Sequence, residues 1–160
     1  MFSRQADPLR QLSERLGQAS FAQVLQLPGV SGAVRVSIQP HEAGVPASVA
    51  TVAKKLSGTC ALQVVYDKYD SNAKPYNYTF EIPVTRFQAV ISAFRRNKFD
   101  GLDDEPNLPL TGADIWLVER GAGTFRHDVV LSPQSAGGNH REIVLAIQQH
   151  LAEATRRLNI

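Results

Sequence analysis

The stretch Gly32-Ala33-Val34-Arg35-Val36-Ser37-Ile38-Gln39-Pro40 decides the fold class. Val34, Val36 and Ile38 alternate with Arg35, Ser37 and Gln39, a period of two that sends apolar side chains to one face of a strand and polar ones to the other. Pro40 closes the run, because it cannot donate to a ladder. Two further strands follow at Cys60–Tyr69 and Tyr76–Ile82, both rich in β-branched and aromatic residues. Between them Asp70-Ser71-Asn72-Ala73-Lys74-Pro75 has the chemistry of a loop. In residues 47–56, Val49, Val52, Ala53 and Leu56 fit a helical face, while the position between two strand-like runs suits a strand. The second reading is adopted here.

Upstream of Gly32 the pattern is helical. Asp7 can cap a helix, Pro8 suits its first position, Leu9, Leu12 and Leu16 share a face, and Gly17 ends it. A short second helix is expected from the capping-box spacing of Ser20 and Gln23, stopped by Pro28-Gly29. Downstream, Thr85 and Gln88 have the same spacing ahead of Phe87, Val90, Ile91 and Phe94, which repeat on one helical face. Arg95, Arg96 and Lys98 then fall where cations meet the negative end of the helix dipole. Asp114–Arg120 and Thr124–Leu131 alternate around Gly121-Ala122-Gly123 and read as a hairpin. A last helix opens at Asn139 and Glu142, again spaced as a capping box, with Ile143, Ile147, Leu151, Ala154 and Leu158 on its apolar face and Arg156 and Arg157 near its end.

Helices at both ends, a run of strands, one helix between strands and a closing hairpin make an α+β domain with a mainly antiparallel sheet. The expected organisation is one domain over residues 1–160, with a helical lid at 1–29, the sheet and its helix at 32–132, and the C-terminal helix at 139–158. Regular βαβ alternation is missing, which excludes a doubly wound parallel sheet. Gly121-Ala122-Gly123 lacks the third glycine and the following helix of a dinucleotide fingerprint.

Composition sets the outer bounds. A chain of 160 residues with 43% hydrophobic and 20% charged residues has enough apolar material for a core and too little charge for disorder. Seventeen Lys and Arg against fifteen Asp and Glu leave a net charge of +2 with no basic tail or continuous basic face, so no nucleic-acid partner is expected. No run approaches the roughly 20 apolar residues of a membrane span. Met1 to Arg10 contains no apolar signal core, so the chain as it stands reads as cytoplasmic, or as periplasmic if a signal has been removed. The single Cys60 reads as a small buried hydrophobe.

Chemistry-bearing residues concentrate in the hairpin and in the loop before it. With a three-residue turn, Glu119 lies diagonally near His127; a turn one residue shorter or longer puts Glu119 on the face of Arg126. An acid/base pair of His127 with Glu119 or Asp128 would suit a small hydrolase. An ordinary cross-strand polar pair is the simpler reading, since no nucleophile, metal triplet or phosphate cradle accompanies it. His140 and His150 are ten residues apart on one helix, too far to share a metal. The carboxylates of Asp100, Asp103, Asp104 and Glu105 lack the ligand spacing of a calcium loop. No cofactor or metal is expected. Held between a helix and a hairpin, those carboxylates are placed to meet a basic patch on another protein.

The segment Phe80 to Gln88, then Phe99 and Leu102, then Gly112-Ala113-Asp114-Ile115-Trp116-Leu117-Val118-Glu119 and the His127 strand ending at Ser132-Pro133, resembles a pattern in small bacterial proteins of unassigned function. There too a strand with Gly-Ala, Trp and Glu is paired with a strand bearing a histidine. The resemblance covers roughly the second half of the chain; it implies an α+β fold and carries no active site to transfer. In size and layout the chain is also similar to immunity proteins, the compact inhibitors that bacteria make against secreted toxins. The functional expectation is therefore a non-enzymatic protein-binding domain, an immunity-type inhibitor of a cognate toxin. Its contact residues would be Asp100, Asp103, Asp104, Glu105, Glu119, Arg126 and His127. The small hydrolase is the alternative, and the sequence leaves the oligomeric state open.

Overall fold

The computed structural model describes residues 4–109 and 111–158. Six strands form one antiparallel sheet: β1 (Val30–Gln39), β2 (Ser48–Lys55), β3 (Cys60–Tyr69), β4 (Pro75–Ile82), β5 (Ile115–Ala122) and β6 (Phe125–Leu131), in the order β4-β3-β2-β1-β5-β6. The helices are α1 (Asp7–Arg15), α2 (Phe21–Leu25), α3 (Val84–Arg96) and α4 (Gly138–His150). This is the expected α+β fold. Residues 48–55 are strand, which settles the ambiguous segment. No helix among the described residues is long and apolar enough to cross a membrane.

Four strands in succession run β1 to β4 outward from the centre. The chain then returns across the sheet through α3 to lay β5 on the other side of β1. One face, here face B, takes α3 and α4. Val34, Val36, Leu62, Val64, Val118 and Val129 meet Phe87, Val90, Phe94, Ile143 and Ile147 there in one continuous core. Phe94 is fully buried and stacks on Phe99 with ring centroids 4.6 Å apart. Face A takes α1 and α2; residues 1–3 of the segment expected as a lid lie outside the described residues. Leu9, Leu12 and Leu16 pack on Val49, Val65, Leu117 and Val130, while Phe21, Val24 and Leu25 pack on Ala33.

Four local expectations need correction. Ala6 is the N-cap of α1, with no side-chain bond at the cap, and Asp7 lies in the first turn. Only Ser20–Gln23 forms its capping box, with Gln23 N–H donating to Ser20 Oγ at 3.2 Å and Ser20 N–H to Gln23 Oε1 at 2.9 Å. Helix α3 is capped by Pro83 and α4 by Gly137, neither through a side chain, so Thr85 and Asn139 already lie inside the first turn, where their side chains cannot act as N-caps. The last helix also stops at His150, and a 3₁₀ turn, Ala152–Thr155, carries Ala154 into the core. Arg86 of α3 stabilises that break: its Nε donates to the His150 carbonyl at 2.8 Å, and its two Nη groups grip Glu153 at 3.1 and 2.5 Å. Arg156 and Arg157 thus follow the turn and do not sit in the last turn of a long helix.

Candidate functional site

The hairpin turn is two residues long. Ala122 stands opposite Phe125, Arg120 opposite His127 and Glu119 opposite Asp128. Only Gly123 in the turn has a positive φ, +60°, as a type II′ turn requires at its first central position. With the turn one residue shorter than the three-residue reading, Glu119 shares a face with Arg126. His127 points to the opposite face, where its Nε2 donates to the Leu102 carbonyl at 2.7 Å and its ring meets Phe99 edge-on at 5.6 Å. Successive residues of a strand face opposite sides. The pairing of His127 with Glu119 or Asp128 that a hydrolase would need is therefore not formed.

In the acidic loop, three of the four carboxylates are engaged within the fold. Asp100 grips Arg120 Nη1 with both oxygens, at 2.7 and 2.6 Å. Asp104 accepts the Val130 N–H at 2.8 Å, and the Glu105 N–H donates to the Val130 carbonyl at 2.9 Å. Glu105, only 6% exposed, accepts from the Ser132 N–H at 3.0 Å and the Ser135 hydroxyl at 2.5 Å. These bonds fall along the outer edge of β6, so the loop straps an edge that would otherwise offer unpaired backbone groups to another strand. Asp103 alone of the four is an exposed side chain without a partner among the described residues, its carbonyl accepting from His140 Nε2 at 2.7 Å.

What the strands bring together lies on face A. Thr79, Gln63, Thr51, Arg35, Glu119 and Asp128 stand opposite one another in turn, a polar row crossing all six strands. Its β1-β5-β6 half is buried beneath α1 and α2: Arg35 is 3%, Glu119 8% and Asp128 3% exposed. Arg35 donates from Nε to Thr51 Oγ1 at 2.8 Å and from Nη1 to the Ala19 carbonyl at 2.9 Å, and its guanidinium lies over the Phe21 ring. Arg10 of α1 reaches down to pair with Asp128 while holding Asp7 at 2.8 Å. Glu119 is different. No hydrogen bond reaches its carboxylate among the described residues, and it faces a cleft of about 280 Å³ shared with Arg10, Arg35 and Arg126. Burial pushes its carboxyl from 4.5 up to about 7, Arg35, Arg10 and Arg126 opposing that rise and Asp128 adding to it.

At the far end of the sheet β4 pairs with β3 alone, and no hydrogen bond from another element reaches its outer edge among the described residues. Tyr78 is exposed, and with Tyr66, Phe80, Arg156 and Leu158 it lines a cleft of about 270 Å³. The Tyr66 and Tyr78 rings meet edge-on at 6.0 Å, and the Tyr66 hydroxyl donates to the Arg156 carbonyl at 2.7 Å. Neither this edge nor the Arg35 cluster was anticipated. Alternation marks Arg35 as a polar-face residue but carries no information on whether a helix covers that face.

No protein-family model matches the chain, and no curated protein matches it.

Proposed function

We propose that the chain is a non-enzymatic protein-binding domain, most concretely an immunity-type inhibitor of a bacterial toxin, and that it engages its partner along the free edge of β4. The observation that supports this reading is the asymmetry of the sheet edges. One is closed by a loop that supplies a backbone amide and two carboxylates to β6; the other is eight residues long, without a partner strand on its outer side among the described residues, and flanked by the exposed Tyr78 ring. An extended partner segment can continue the ladder there, main-chain bonds giving affinity and side-chain pockets specificity. Tyr66, Tyr78 and Phe80 offer such a pocket, and exposed Arg156 favours a segment carrying a carboxylate beside its apolar anchor.

The contact surface of this proposal replaces the acidic loop, where Asp100, Asp104 and Glu105 bind groups of the fold. Affinity capture from native lysate by the wild-type chain and by Tyr78→Asp tests it. The side chain is exposed, so the variant should fold, lose the captured protein and leave the β4 amides as fast to exchange as in the free chain. Wild type with its captured partner should protect those amides and relieve that partner's toxicity on co-expression. Capture that survives Tyr78→Asp with β4 exchange unchanged would remove the edge from the proposal, and a captured protein without toxicity would remove the immunity assignment.

A further inference from the structure

Face B carries a cavity of about 500 Å³ at the end of the sheet where α3 crosses β1 and β5. One cross-strand row opens it. Lys54 of β2 stands opposite Gly32 of β1, and the missing side chain of Gly32 leaves room between the strand backbone and Phe87, Ile91 and Arg95 of α3. Backbone conformation does not demand glycine at that position. An added Cβ would lie 3.5 Å from the Gly121 carbonyl oxygen and 3.6 Å from the Phe87 ring, ordinary contact distances. What the glycine supplies is space.

The cavity wall divides by chemistry. Phe87 and Ile91 contribute an apolar side, and Lys54, Arg95 and Arg120 contribute three cations, with no carboxylate among the lining residues. Lys54 and Arg95 take part in none of the ion pairs of the described residues. Arg120 is 9% exposed; Asp100 holds its Nη1, and its Nε is buried with no hydrogen-bond partner. Cations gathered in a concavity raise the local potential for an anion. The volume falls within the roughly 300–1,000 Å³ of small-molecule pockets, and an apolar wall with a few convergent polar groups is their usual composition.

We infer that this cavity binds a small organic anion, a carboxylate or phosphate joined to a flat apolar body, with the anionic oxygens against Arg95, Lys54 and Arg120 and the body against Phe87 and Ile91. The site is independent of the β4 edge, and each can fail without the other. A polyanion is a poorer fit, because the basic groups are gathered in one concavity and do not continue as a track.

Titration of the whole chain with phenyl phosphate, phenylacetate, benzyl alcohol and inorganic phosphate, followed by backbone amide shifts, tests the site. One of the two organic anions should shift Gly32, Gly121 and Ala122 saturably, at least tenfold more tightly than benzyl alcohol or inorganic phosphate. Whichever anion leads names the head group, and either result upholds the site. Arg95→Glu changes an exposed side chain and should weaken that anion at least tenfold while the remaining spectrum stays that of the folded protein. Lys54→Met should weaken it in the same direction. Absence of saturable shifts at these amides, equal binding of benzyl alcohol or inorganic phosphate, or binding unmoved by both substitutions would overturn the assignment.

Discussion

The two faces of the sheet come from the same strands, yet they are built on different principles. Face B is closed by two helices of thirteen residues each over an almost wholly apolar core. Face A is closed by helices of nine and five residues over a row that includes two carboxylates and a guanidinium. Apolar burial on face B is non-directional and tolerates small adjustments. Each charge on face A needs a specific partner once water is gone. Arg35 and Asp128 have partners, through Thr51, Ala19 and Arg10; Glu119 faces three cations across a cleft without a hydrogen bond among the described residues. The contrast teaches that stability resides mainly in face B, while face A is where the fold tolerates an unfavourable charge.

Removing apolar volume from face B should therefore give the largest effect. Phe94→Ala deletes a fully buried ring stacked on Phe99, and such truncations cost about 3–5 kcal/mol. Urea unfolding should show a lower midpoint with the slope unchanged. A loss below about 1 kcal/mol would mean that the face collapses around the gap and is less tightly packed than its burial indicates.

On face A a substitution should act with the opposite sign. The Glu119 carboxyl titrates near 4.5 in the unfolded chain and at about 7 in the folded one, so between those values the folded state holds the extra proton. Stability is then fully present below pH 4.5 and falls as pH rises towards 7, levelling off above. Glu119→Gln should abolish that slope. It should match wild type at acid pH and be more stable at pH 8 by up to about 3 kcal/mol, the equivalent of the shift. A variant less stable than wild type at pH 8 would show that the three arginines outweigh burial and that Glu119 is held as an anion.

Seating of the shorter helix depends on Gly121. A Cβ there would come within 2.4 Å of Leu25 Cδ1 and 2.8 Å of the Phe125 carbonyl oxygen. The leucine tip can rotate away, but the carbonyl belongs to the paired strand. Gly121→Ala should cost about 1–3 kcal/mol, in the range of overpacked cores, with faster amide exchange concentrated in α2. Uniform exchange across the molecule would place the strain in the hairpin instead.

The strands were legible because alternation at Val34–Val36–Ile38 and the loop chemistry of 70–75 are local properties, and the antiparallel order of β1 to β4 follows from short connections. The hairpin register was not, since Gly121-Ala122-Gly123 admits several turns and nothing local distinguishes the two-residue one that leaves Gly121 in the strand. The acidic loop misled for a related reason. Asp104 and Glu105 read as carboxylates placed to meet a partner until the edge of β6 supplies the amides they accept from. The Gly32 cavity is invisible in the sequence, because a glycine in a strand acquires meaning only from the helix that crosses it.

The smallest effect expected tests whether face A contains a cost that does nothing for the fold. Ser37 is 1% exposed, sits opposite Leu117 and Val49, and its Oγ has no hydrogen-bond partner among the described residues. A buried hydroxyl left unsatisfied costs about 1–3 kcal/mol, and a methyl group in its place requires no partner. Ser37→Ala should thus raise stability by about 1 kcal/mol, measured as a higher urea midpoint at constant slope. The same substitution logic applied to Thr51 should fail, because its Oγ1 accepts from Arg35 and Thr51→Ala would strip a buried guanidinium of one of its two described acceptors. If Ser37→Ala destabilises instead, the hydroxyl has a partner, most simply a buried water, and face A is satisfied at every polar position except Glu119.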